Sequence, residues 1–282
     1  MGLPMAGQQL KVDHATAAGR DLRAMMLALQ SVGIPSQYGG PHANRATEMA
    51  LTSFPDGSYL ELIAIQRRAD PAAAAAHEWH VAMESNNGPC AWAVRPVDLS
   101  SEIQRLRAAS IVVTDAKRNG RLRPDKVRLD WETAQVGAGN GTFFPFLIHD
   151  FTPRGDRAYP SGKPTTASFS GISKVVIGVK DLGGAVAQFQ HAYGLPEPVR
   201  QSDADFGATL AWFRGTPVVL ATPLSIGSWL DVRLHRFGDG PCAFVLARGK
   251  KAGFSIKRGS NWFGKQVAWF NPSQLGWYLG VE

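Results

Sequence analysis

The sequence contains no run of about 18 apolar residues, so nothing in it reads as a membrane-spanning helix. Residues 1–10 hold no basic cluster followed by an apolar stretch, so no secretory signal is expected. Ala6 stands where an N-myristoylated start would need Ser or Thr. Cysteine is scarce: Cys90 and Cys242 are the only two, too few for a disulfide framework. These absences lead to an expectation of a cytoplasmic, reduced protein with no membrane partner. There is also no P-loop, no dinucleotide glycine motif and no Gly-x-Ser-x-Gly elbow. That argues against nucleotide-driven and ordinary serine-hydrolase chemistry.

Acidic residues are in deficit, with Asp+Glu 23 against Lys+Arg 30 and a formal net charge of +7. The basic excess gathers in residues 117–128 and 250–265, and the second stretch interleaves Phe254, Trp262 and Phe263 with its cations. Basic residues mixed with aromatics can bind single-stranded nucleic acid. No recognised nucleic-acid motif accompanies them, so that partner is disfavoured. The same field keeps a protein soluble and draws in anionic small molecules.

What is present is a repeat. Hydrophobic residues at 44% suffice for a sizeable core, and the length suits two domains. Gly88-Pro89-Cys90-Ala91 returns as Gly240-Pro241-Cys242-Ala243, each followed by an apolar strand-like run. Val12-Asp13-His14 leads through Asp21-Leu22 to Gly33-Ile34-Pro35, and Val175-Val176-Ile177 leads through Asp181-Leu182 to Gly194-Leu195-Pro196. In both, Asp caps a helix and Gly-x-Pro stops it, which predicts helices over Leu22–Ser31 and Leu182–Tyr193. Four units follow, at about 10–70, 88–152, 170–224 and 239–282, the last shortened where residues 250–254 replace a full helix. Residues 152–169, rich in Pro, Gly, Ser and Thr, read as loop. Residues 71–87 begin with an alanine run and predict a short surface helix carrying His77 and His80.

Val12-Asp13-His14, the loop Gly39-Gly40-Pro41-His42, the strand Asp56-Gly57-Ser58-Tyr59-Leu60-Glu61-Leu62 and Phe144-Pro145-Phe146-Leu147-Ile148 resemble the glyoxalase-like domain of the vicinal-oxygen-chelate (VOC) superfamily. Met49 departs from it, standing where the pattern usually has Asn. The resemblance implies an α+β fold of four βαβββ modules paired into two half-open cups. It divides the chain into a glyoxalase-like domain at 1–152, a linker at 153–169 and a degenerate second domain at 170–282. It also implies a small-molecule pocket in each cup and leaves a homodimer open, since such modules pair within or between chains.

His14 and Glu61 are the sharpest chemical pair, placed by the resemblance on the first and last strands of unit one. In metal-using relatives those strands supply a His and a Glu to a divalent ion, and imidazole with carboxylate suits Zn²⁺, Fe²⁺, Mn²⁺ or Ni²⁺. The matching positions of unit two are Ala91 and Phe146, which cannot bind metal, so only half a metal site is visible. Candidate further ligands or pocket residues are His42, Glu132 and His149, with Trp92 and Phe146 as apolar walls. Without metal, Glu61 would act as general base and His14 as its partner. The reaction classes that the resemblance implies are lyase, isomerase and dioxygenase, among which the sequence does not choose. A non-catalytic small-molecule binding or resistance protein is the alternative.

Overall fold

The computed structural model of the chain describes residues 10–138, 141–250 and 259–282. The first repeat runs β1 (Val12–Ala18), α1 (Leu22–Ser31), β2 (Gln37–Pro41), β3 (Thr47–Ser53) and β4 (Tyr59–Ile65). Asp21 caps α1 by accepting from the Ala24 amide at 3.0 Å. Gly33, at φ 83, ends it: its amide donates to Gln30 and that of Ile34 to Leu29, satisfying the last carbonyls. Two short helices follow, α2 (Pro71–Ala75) and α3 (His80–Glu84), where one surface helix was expected. Trp79 and Met83 are buried there, so the insert packs inward as well as facing solvent.

The second repeat comprises β5 (Gly88–Val94), α4 (Leu99–Ala108), β6 (Lys117–Leu122), β7 (Arg128–Ala134) and β8 (Phe146–Asp150). Asp98 caps α4 as Asp21 caps α1. The segment at 153–169, read as loop, instead carries a short helix, α5 (Arg154–Ala158).

The third repeat is β9 (Phe169–Gly178), α6 (Leu182–Tyr193), β10 (Val199–Asp203), β11 (Ala208–Trp212) and β12 (Val218–Pro223). An unexpected helix, α7 (Trp229–Phe237), is capped by Ser228 and buries Leu230 and Leu234. The fourth repeat is β13 (Gly240–Arg248), β14 (Gly259–Trp262), β15 (Lys265–Trp269), α8 (Pro272–Leu275) and β16 (Tyr278–Val281). The expected helix replacement at 250–254 lies almost wholly outside the described residues, as does Phe254 of the basic aromatic stretch.

The strands form two eight-stranded sheets, ordered β2-β3-β4-β1-β5-β8-β7-β6 and β10-β11-β12-β9-β13-β16-β15-β14. In the first, β1 pairs parallel with β4 and antiparallel with β5, which joins the two repeats at the centre. The edge strands β2 and β6 nearly meet, linked by a bridge between His42 and Arg121. Each sheet is thus a nearly closed cup. The outer faces pack together with α1, α4 and α6 in one core that holds Leu62, Trp92, Val175, Phe189, Phe244 and Leu279. Gly88 fits that junction because of its size: at φ 68, an added Cβ would stand 2.6 Å from Cβ of Trp277.

The two interiors differ. The second cup is filled by Phe206, Trp229, Trp262, Trp269 and Tyr278, with ring centroids 4.3 Å apart for Trp229 and Tyr278 and 5.0 Å for Phe206 and Trp269. Lys174, which occupies in the third repeat the place of His14, is buried and paired with Glu282. The first cup holds an open cavity.

Candidate active site

Side chains alternate faces along a strand. On β1 and β4, Ala15, Ala17, Leu60 and Leu62 enter the shared core, which turns His14, Thr16, Tyr59 and Glu61 into the cup. The parallel register sets Thr16 opposite Glu61, and its hydroxyl donates to Glu61 Oε2 at 2.9 Å. The cavity measures about 490 Å³ and is lined by His14, His42, Tyr59, Glu61, Arg121, Trp131 and Phe146 among others. That volume lies in the range of small-molecule sites.

Two imidazoles flank Glu61. His14 Nε2 is 3.5 Å from Oε2, and His42 Nε2 is 3.8 Å from Oε1. The other nitrogen of each ring is engaged: Nδ1 of His14 with Asp13 Oδ1 at 2.5 Å, and Nδ1 of His42 with Thr47 Oγ1 at 2.8 Å. The His14 ring stacks on Tyr59 at 4.8 Å and meets the edge of Phe146 at 5.3 Å, which fixes its plane.

Behind His14 lies a buried ion network. Asp13 is fully buried, and its Oδ2 accepts from Arg154 at 2.6 Å and from Arg157 at 2.7 Å. Burial works to raise the Asp13 pKa, but the two guanidiniums outweigh it and hold the carboxyl well below the usual range. Asp13 is therefore an acceptor only, and Nδ1 of His14 carries the hydrogen between them. Arg157 also binds Asp150 and donates to the Tyr59 hydroxyl at 2.7 Å. Its own pKa is raised well above the ordinary value: burial acts against the charge, but Asp13 leads the groups that favour it. Burial pushes the Tyr59 hydroxyl upward, so it stays protonated. Burial, then Arg121, His77 and His14, hold the His42 pKa down to about 3, so His42 is neutral.

His14, His42, Glu61 and Phe146 of the sequence-derived set share this cavity. Trp92, Glu132 and His149 lie outside its lining. Trp92 sits in the core between the cups, its indole N–H donating to the Phe143 carbonyl at 3.3 Å. Glu132 lies between Trp131 and Thr133, which line the cavity, but is not part of its wall. His149 is exposed against the edge of Phe151. The two-residue period held the signal: with Ala91 facing inward like His14, its neighbour Trp92 must face outward. His77, expected on the surface, lines the cavity mouth, and burial followed by the charge on His80 lowers its pKa. Sequence reasoning passed over Asp13, Arg121, Arg154 and Arg157. Only Asp13 had a signal, its adjacency to His14.

The donor set does not fit the metal that the resemblance implies. The two imidazoles face different oxygens of Glu61, at 3.5 and 3.8 Å. Phe146 packs on His14 where the second repeat would bring a ligand. Among the described residues, no three His, Cys, Asp or Glu side chains group so as to hold a metal ion.

Two cup-like eight-stranded sheets, each built of two paired strand–helix repeats and the first enclosing a cavity, have the vicinal-oxygen-chelate fold. Solved structures agree. A hypothetical protein from Staphylococcus aureus aligns with TM-score 0.66 at 13% identity, covering 97% of this chain and 99% of its own. A mutant of 4-hydroxymandelate synthase from Streptomyces coelicolor aligns with TM-score 0.62 at 12% identity, covering 97% and 92%. No curated protein sequence matches significantly. The glyoxalase-like domain pattern matches residues 12–193, and the chain belongs to that family. No helix among the described residues is long and apolar enough to cross a membrane.

Proposed function

We propose that the first cup binds a small molecule and moves a proton on it, as an isomerase or lyase does, with Glu61 as the general base and His14 as its acid–base partner. The observation that carries this reading is the Glu61 carboxylate at the cavity wall, held by the Thr16 hydroxyl at 2.9 Å and flanked by two imidazole Nε2 atoms. A carboxylate fixed by a hydroxyl on one oxygen is oriented to accept a proton from a ligand in the cavity. Asp13 then steadies the His14 ring and any positive charge that forms on it, as the acidic member of a catalytic triad does. Tyr59, protonated and anchored by Arg157, walls the same cavity.

The test is deuterium wash-in. A panel of small carbonyl compounds is incubated with the protein in D₂O, and exchange at the carbon next to the carbonyl is followed by NMR. Wild type should exchange at least one of them, and Glu61→Gln should be slower by about 10²-fold or more. Equal exchange by both proteins would remove Glu61 from the role. Metal content is measured in parallel by mass spectrometry. The donor set predicts less than stoichiometric Zn²⁺, Fe²⁺, Mn²⁺ or Ni²⁺ even after soaking. One equivalent, lost in His14→Ala and Glu61→Ala, would overturn the metal-free reading.

A binding protein without turnover is the second reading, and the close packing of Phe146 on His14 favours it. Its mark is a ligand that raises the melting temperature while no panel compound exchanges.

A further inference from the structure

Among the described residues, the cavity contains one buried cation with no carboxylate in contact with it. Arg121, on β6, is only 3% exposed. The structure gives its guanidinium two hydrogen bonds, both to main-chain carbonyls: one to Gly39, and one to Arg157 at 2.9 Å. Among the described residues, no carboxylate lies within ion-pair distance of it. The other arginines lining the cavity are answered or exposed. Arg157 is paired with Asp13 and Asp150, and Arg128 with Asp130 at 3.0 Å. Arg118 stacks over the Phe151 ring at 4.1 Å. Burial pulls the Arg121 pKa down to about 10, which still leaves it charged at neutral pH.

A buried unpaired charge is costly, and proteins retain one where something else supplies the counter-charge. A guanidinium presents five N–H donors, and the two carbonyl bonds leave Arg121 with donors to spare. We infer that Arg121 is the anion-binding residue of the first cup and that the ligand is a small monocarboxylate with an apolar, flat body. The reading rests on the cup being a ligand site, as proposed above. Glu61 favours the Arg121 charge only from beyond ion-pair distance, and one positive charge with no carboxylate in contact matches one negative charge. Glu61 in the same cavity would repel a dianion. Met49, Ile63, Trp79, Trp131, Phe146 and Ile148 supply apolar wall for the body of such a ligand. In this cup, then, a fixed guanidinium provides the positive charge that the donor set cannot recruit as a metal, and it can hold a carboxylate through two parallel N–H···O bonds.

The probes are benzoate and phenylacetate, each paired with its neutral amide, and inorganic phosphate as a dianion. Binding is measured by calorimetry on the full chain. Both carboxylates should bind more tightly than their amides and more tightly than phosphate. Arg121→Gln should weaken benzoate by about tenfold or more and leave benzamide unchanged, with Arg121→Lys in between. If Arg121→Gln does not fold, the wild-type comparison of acid with amide and the Lys variant decide alone. Equal binding of acid and amide, phosphate binding above both carboxylates, or benzoate binding that survives Arg121→Gln would each overturn the inference while leaving the cup as a ligand site. No binding of any probe at millimolar concentration would overturn both.

Discussion

His42 is a site residue whose titration the fold suppresses. A free histidine ionises near pH 6.5. In the folded chain burial, reinforced by Arg121, His77 and His14, lowers the pKa of His42 to about 3. Between those values the unfolded chain takes up a proton that the folded chain refuses. Stability therefore falls as the pH drops through that window, by at most about 1.4 kcal/mol per pH unit from this one group. His42→Asn should flatten the stability curve between about pH 6 and pH 4, read as the urea midpoint at each pH. An unchanged slope would mean that His42 is not held neutral.

Residues of this kind were unevenly legible in the sequence. His14, His42 and Glu61 stood in recognisable strand and loop contexts. Arg121 and Arg157 did not, because arginine is usually a surface residue and nothing local marks one that turns inward.

At the scale of elements, the decisive piece is α5. Its five residues fall within a segment whose composition reads as loop. A helix that short cannot stand on its own propensity and exists through its tertiary bonds. That is why composition could not reveal it. From α5, Arg157 reaches Asp13, Asp150 and Tyr59, tying the segment after the second repeat to the strand that carries His14. By contrast α1 and α6 were legible to the residue, since capping Asp, apolar spacing and Gly after the last turn all agreed. The network makes a prediction. Removing one partner of a buried pair leaves an uncompensated charge, at a cost of about 3–5 kcal/mol. Arg157→Met should fall near the lower end of that range, because Arg154 still pairs with Asp13. Urea unfolding measures it. A loss under about 1 kcal/mol would show that α5 is not the clamp described.

For the whole molecule, the question is whether the two cups are independent. The repeats made four modules visible in the sequence, but the partition of roles between the cups was not. That depends on side chains brought together from distant strands, here the aromatic group that fills the second cup. The outer faces of both sheets share one core, with β5 lying against β13 and α1, α4 and α6 packed between them. Neither cup could unfold without exposing the apolar outer face of the other. The two should therefore unfold together, with the second acting as the structural half of one cooperative unit. Trp262→Ala tests this at a site remote from the first cavity. Trp262 is fully buried in the second cup, in contact with Phe206 and Trp269, and its loss should cost about 3–5 kcal/mol. If the cups are one unit, that cost moves a single transition, and far-UV circular dichroism and tryptophan fluorescence shift to the same lower midpoint. If they are two, both signals split: one part moves, and the part from the first cup, which holds Trp79 and Trp131, keeps its wild-type midpoint. The shared core would then be an interface between domains that fold separately.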